Sequence, residues 1–159
     1  MRERGAEAEP QAHDRAVRPV ETVIGAEEVC LVTRPGFPEW GHVTQAAQLI
    51  ALRASVKRGE RVLVCPCGHG ALAVWAARQT EAARVTALDT NSIAVEAARA
   101  TVAANRCGAV RVAAATPTPQ AEPYDVVLMT LPKGRDLARL LFLAAFKPIA
   151  TLSNSADTN

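Results

Sequence analysis

The spacing of apolar positions changes several times along the chain, and each change marks an element. Residues 1–26 show no hydrophobic period and contain Pro10 and Pro19, so they read as a flexible tail. Glu28-Val29-Cys30-Leu31-Val32 is a short strand candidate that ends in the turn-forming stretch Pro35-Gly36-Phe37-Pro38, and it looks like a leading hairpin or edge piece. From Val43 to Lys57, apolar residues recur at Val43, Ala46, Ala47, Ile50, Ala54 and Val56, with Gln45, Gln48 and Arg53 between them and Gly59 just beyond. That stripe predicts an amphipathic helix. After Arg61, the run Val62-Leu63-Val64-Cys65 is apolar without a break, as expected of a strand buried on both faces of a parallel sheet.

The cycle then repeats. A loop over Pro66–Gly70 leads into a helix over Ala71–Gln79, then a strand over Arg84–Leu88 and a helix over Ser92–Asn105 with Asn91 or Ser92 as its N-cap. A strand over Val110–Ala114, a proline-marked loop through Pro123, a strand over Asp125–Met129 and a helix over Gly134–Phe146 follow. Lys147–Leu152 supplies one further strand before the polar end Ser153–Asn159. Strands alternating with helices predict an α/β fold with a doubly wound, mostly parallel sheet. One domain over residues 27–152 is expected, with tails at 1–26 and 153–159, and such sheets bind ligands at the carboxyl ends of their strands.

Length and composition narrow the function classes. A chain of 159 residues suits a single core, and an aromatic content of 4% leaves that core to aliphatic side chains and alanine, which argues against base-stacking platforms. The formal charge of +2 comes without a dense basic arm, so charge alone does not decide for or against nucleic acid. No signal-like segment or membrane-length apolar run is present, and the expectation is a cytoplasmic protein without a membrane partner. Cys30, Cys65, Cys67 and Cys107 lack the spacing of a disulfide scaffold, so reduced and mostly buried thiols are expected.

The candidate chemistry gathers at two strand ends. Cys67-Gly68-His69-Gly70 is a small-residue loop between a strand and a helix, where backbone amides can approach a ligand and the helix dipole favours it. Asp89, with Thr90 after it, ends the next strand about twenty residues on, the spacing at which a carboxylate accepts both hydroxyls of a ribose. The competing role for Asp89 is a turn or N-cap before Ser92. Cys65, Cys67 and His69 could be imagined as soft-metal ligands, but a strand end points successive side chains opposite ways, and no metal is expected. Trp40 and His42 read as packing or surface residues, and Lys133 and Arg135 as a solvated helix start.

Taken in order, the glycine loop, Asp89, the helix Ile93–Asn105 and the stretch Tyr124-Asp125-Val126-Val127-Leu128-Met129-Thr130-Leu131-Pro132 resemble the successive motifs of the class I S-adenosylmethionine-dependent methyltransferases. Ala103-Ala104-Asn105 and Tyr124-Asp125-Val126-Val127-Leu128 look most like the small-methyltransferase-domain group, which modifies guanine exocyclic amines of ribosomal RNA. The resemblance implies S-adenosylmethionine as cofactor, held by Cys67, Gly68, Gly70, Asp89 and Thr90. It also implies ribosomal RNA as partner, and Thr130, Leu131 and Pro132 at the catalytic motif.

There are departures from the pattern. Val64 stands where the family usually carries an acid and Pro66 where it carries glycine, and the stretch Val112–Thr116 lacks the acid that meets the adenine amine. The family's Asn-Pro-Pro-aromatic motif is here Thr130-Leu131-Pro132-Lys133. Thr130 offers a hydroxyl in place of an amide and carbonyl pair, and chemistry that depends on orientation suffers when positioned acceptors are lost. This motif resembles the degenerate N-terminal copy found in two-copy members. Two readings therefore stand: a methyltransferase, or a non-catalytic scaffold or RNA-binding copy that covers a catalytic methyltransferase domain. A full domain of this class adds an antiparallel strand pair after its fifth strand. The sheet is therefore expected to be C-terminally truncated, with an open edge that invites self-association.

Overall fold

The computed structural model describes residues 17–33, 37, 39–117, 123–131 and 134–146. Its first element corrects the expected N-terminal tail. Strand β1 (Arg18–Ile24) pairs antiparallel with β2 (Glu27–Thr33), from Arg18 opposite Thr33 to Ile24 opposite Glu27. The signal lies in a period-two alternation too short to stand out. Val20, Thr22 and Ile24 are the more buried set in β1, and Val29, Leu31 and Thr33 are the buried set in β2, with Val20 opposite Leu31 and Thr22 opposite Val29. Pro19 is tolerated because β1 is an edge strand that need not donate from every residue.

Helix α1 (Gln45–Arg53) begins at Thr44, whose hydroxyl accepts from the Ala47 amide at 3.2 Å. It stops short of the expected Lys57, because the backbone turns extended at Ala54. Gln48 of α1 clasps the hairpin turn: its Oε1 accepts from Gly25 N at 2.9 Å and its amide nitrogen donates to the Val23 carbonyl.

Strands β3 (Val62–Val64), β4 (Val85–Asp89), β5 (Arg111–Ala114) and β6 (Val126–Leu128) form a parallel sheet in the order β5-β4-β3-β6. Helix α2 (Ala71–Gln79) and a single 3-10 turn (Ala82–Arg84) join β3 to β4, α3 (Ser92–Ala104) joins β4 to β5, and α4 (Arg135–Phe146) follows β6. Each expected strand and helix from residue 61 to 146 is found, with ends that agree to within one residue. The expected strand at 147–152 lies outside the described residues.

The architecture is the doubly wound α/β fold that the alternation of elements predicts. β3 is buried along its whole length, and α2 is buried from Ala71 to Ala77, because the sheet lies on one side of it and α3 and the hairpin on the other. The main core joins Val62, Val64, Val74 and Val85 to Ile24 and Leu31, while Leu63, Cys65 and Leu88 form a smaller cluster. The hairpin is tied to α3 by side chains. Thr101 Oγ1 accepts from Val32 N at 3.0 Å, and Asn105 both accepts from Cys30 N at 3.1 Å and donates to Cys30 O at 2.8 Å. Among the described residues no helix is long and apolar enough to cross a membrane.

Candidate functional site

The sheet order places the chain's direction reversal at β3, with β4 and β5 on one side of it and β6 on the other. The carboxyl ends of β3, β4 and β6 therefore open onto one crevice, the place where such sheets hold ligands. Beyond β3 the loop keeps the ladder going, with Cys65 N donating to Leu128 O at 3.1 Å and Cys67 N to Leu88 O at 2.9 Å. It then turns at Gly68, whose φ of +52° is left-handed and whose amide donates to Asp89 Oδ2 at 3.0 Å. The other Asp89 oxygen accepts from Asn91 N at 2.9 Å. The expected turn role of Asp89 is thus realised, and the same two bonds fix its carboxylate at the crevice. Each oxygen keeps a further lone pair for an incoming hydroxyl.

The two loop glycines do different work. Gly70 caps α2 with φ of +89°, and a Cβ there would sit 2.9 Å from the Ala98 Cα, so its smallness lets α2 and α3 approach. At Gly68 a Cβ would instead meet the Glu39 Oε2 at 2.8 Å. Glu39 was not legible in the sequence. It reaches the site from the segment ahead of α1, held there by His69. The imidazole is 3% exposed, and its Nε2 donates to His42 O at 3.0 Å while Nδ1 accepts from Ala71 N at 3.4 Å. Burial holds the ring below its ordinary pKa, so it stays neutral, and the Phe37 ring packs with its centroid 6.2 Å away. His69 is therefore a clasp between the glycine loop and the segment that carries Glu39. Glu39 Oε2 lies 3.7 Å from His69 Nε2. A hint in the sequence would have been an acid and an aromatic just before a helix that starts at the strand ends.

The neighbouring thiols are inert. Burial, with Asp89 adding to it, pushes Cys65 up to about 11 and Cys67 up to about 12, and all four cysteines are free thiols. Among the described residues no group of three or more His, Cys, Asp or Glu side chains converges as a metal site would.

Thr44, Cys67, Gly68, Asp89, Thr130 and Glu39 help to line one cleft of about 150 Å³. The structure thus brings Cys67, Gly68, Asp89 and Thr130 together. Gly70 serves helix packing instead, and Thr90 is exposed. Leu131, 56% exposed, lines a separate apolar groove with Leu49, Ile50 and Met129. Pro132 and Lys133 lie outside the described residues. Val64, where an acid was expected from the resemblance, is fully buried in the main core. Two carboxylates face the cleft, and among the described residues no Lys or Arg lines it.

Comparison with known proteins bears on the fold and the family. Over 100 residues the chain is 33% identical to the ribosomal RNA small subunit methyltransferase C of Pseudomonas aeruginosa, covering 63% of this chain and 30% of that protein. It is 33% identical over 94 residues to the ribosomal protein L11 methyltransferase of Thermotoga neapolitana, covering 58% of this chain and 35% of the relative. The chain therefore spans about a third of the length of these curated relatives. Among solved structures, the 16S rRNA N2 G1207 methyltransferase of Thermus thermophilus, in complex with AdoMet and guanosine, superposes with a TM-score of 0.72. That superposition covers 84% of this chain and 39% of the other at 21% identity, and it establishes the shared fold. The sequence model of the methyltransferase small domain matches residues 28–141, which takes in β2, the sheet and most of α4, and the chain belongs to that family.

Proposed function

We propose that this chain is an S-adenosylmethionine-binding domain of the ribosomal RNA guanine-N2 methyltransferase type. The observation that carries the reading is the charge of the cleft. A strand, a glycine loop and an acid at the end of the next strand also describe dinucleotide sites, whose ligands bring phosphates. Here the cleft carries the carboxylates of Asp89 and Glu39, with no Lys or Arg among its described lining residues. Such a site disfavours phosphate and favours a cation or an uncharged polyol.

The residues present fit that cofactor. Asp89, already oriented by two backbone amides, offers its remaining lone pairs to a ribose, and Gly68 puts no side chain of its own beside it. When bound, S-adenosylmethionine supplies a methyl group on a positively charged sulfur, ready for attack by a nucleophilic nitrogen. The enclosed volume of about 150 Å³ is below the ~300 Å³ of a pocket that surrounds a whole small ligand, so this cleft would enclose the cofactor only in part. Thr130, at the carboxyl end of β6, is the described polar side chain on the acceptor side, and its hydroxyl can take one hydrogen bond from a target amine.

One observation favours a second reading, in which the cofactor site serves a non-catalytic copy that covers a catalytic partner domain. Thr130 brings a single hydroxyl, while Leu131 turns to the apolar groove and away from the cleft. Methyl transfer from labelled S-adenosylmethionine to ribosomal RNA, stopped by Thr130→Val, supports the enzyme. Cofactor binding without any transfer supports the copy. For the cofactor itself, the charge argument is tested by competition. S-adenosylmethionine should displace a fluorescent adenosine probe from the cleft, whereas NAD and ATP should not at comparable concentrations. Equal displacement by ATP would contradict it.

A further inference from the structure

Gly68 sits between two carboxylates. Its amide donates to Asp89 Oδ2 at 3.0 Å, and the space where its Cβ would lie is covered by Glu39 Oε2 at 2.8 Å. The two acids are engaged very differently. Both Asp89 oxygens hold backbone amides. The close polar side chain beside Glu39 is His69, 3.7 Å away, but that Nε2 proton is already given to the His42 carbonyl at 3.0 Å. Glu39 is therefore a partly buried negative charge, 34% exposed at its side chain, with no cationic partner among the described residues. Half-buried charges normally find a counter-charge, and the second carboxylate that faces the same cleft is not one. Its position is built rather than incidental. The His69 bond to the His42 carbonyl ties the 39–44 segment to the loop, the Phe37 ring packs on the imidazole, and a residue without a side chain at position 68 leaves room for the carboxylate.

We infer that Glu39 is a specificity-determining residue that accepts hydrogen bonds from the ammonium group of the cofactor's amino-acid tail. The inference rests on the proposed S-adenosylmethionine site. The ribose end of such a ligand is set by Asp89, and an ammonium is the group on its tail with both positive charge and protons to donate. The sulfonium has charge but no proton, so it cannot make a charge-assisted hydrogen bond. With Val64 buried in the core, the carboxylate for the tail comes from the segment before α1, and not from the strand that leads into the glycine loop.

The test is calorimetric titration of the full chain and of Glu39→Gln with three ligands. These are S-adenosylmethionine, S-adenosylhomocysteine, which keeps the ammonium but has a neutral sulfur, and 5′-methylthioadenosine, which has neither charge. The expected result is that Glu39→Gln weakens the first two alike, by about tenfold to a hundredfold, and leaves 5′-methylthioadenosine unchanged. Loss confined to S-adenosylmethionine would show that Glu39 senses the sulfur and overturn the assignment. An equal loss for all three, or for none, would overturn it as well, while leaving the cofactor site standing. If the unaltered chain bound none of the three, the proposed cofactor site itself would fall, and the role of Glu39 with it.

Discussion

Gly68 and Gly70 are two residues apart and look equivalent in the sequence, yet the space around them differs. Alanine at position 70 would press on the Ala98 backbone from a left-handed conformation, and Gly70→Ala is expected to cost about 2–4 kcal/mol in urea denaturation. Alanine at 68 meets the movable tip of a glutamate, and its cost is expected to be about 1 kcal/mol, set by the backbone alone. Equal destabilisation by the two changes would contradict the packing role of Gly70. Asp89 and Gly68 were legible because strand, loop and next strand end follow at a fixed spacing along the chain. Glu39 and His69 were not. Their meeting depends on a segment folding back across the loop, and no local period records that. His69 read as a weak metal candidate, and only its bond to the His42 carbonyl shows it to be a clasp.

At the scale of elements, the strand and helix alternation from residue 61 to 146 was legible because buried parallel strands are continuous apolar runs and the helices between them carry a longer period. The hairpin strand β1 was missed because seven residues with a proline give little pattern, and part of what holds the hairpin is made by polar side chains at the end of α3 that reach β2. Asn105→Ala leaves Cys30 N and Cys30 O without these partners, and should destabilise the protein by about 1–3 kcal/mol in chemical denaturation, with exchange protection lost first in β2. No loss would mean that the hairpin is held by apolar contact alone. Helix α3 ends with Arg106 N donating to Ala103 O and Cys107 N to Val102 O, a paired closure that places Arg106 at φ of 60°. Glycine is at ease there, so Arg106→Gly is expected to raise stability by about 0.5–1 kcal/mol, whereas a fall would mean that the arginine side chain itself contributes.

Across the whole molecule, the buried titratable groups set a stability window. His69 is neutral when folded and has its pKa lowered by burial. An unfolded chain, with the ordinary value of 6.5, binds the proton first, and stability falls as pH drops below about 6.5. Cys65 and Cys67 are raised from 9.0 to about 11 and about 12, so the unfolded chain ionises first and stability falls as pH rises above about 9. The melting temperature should be flat between those limits, and Cys67→Ala should soften the alkaline fall. An unchanged alkaline slope in that variant would remove Cys67 from the account. The central claim, however, is the charge-selected cofactor cleft where β3, β4 and β6 end. Its most direct measurement is calorimetric titration of the intact chain with S-adenosylmethionine beside an Asp89→Ala variant shown to be folded by circular dichroism. Saturable binding that the substitution abolishes is the expected result. No heat from folded protein at millimolar ligand, or binding that survives loss of Asp89, would contradict it.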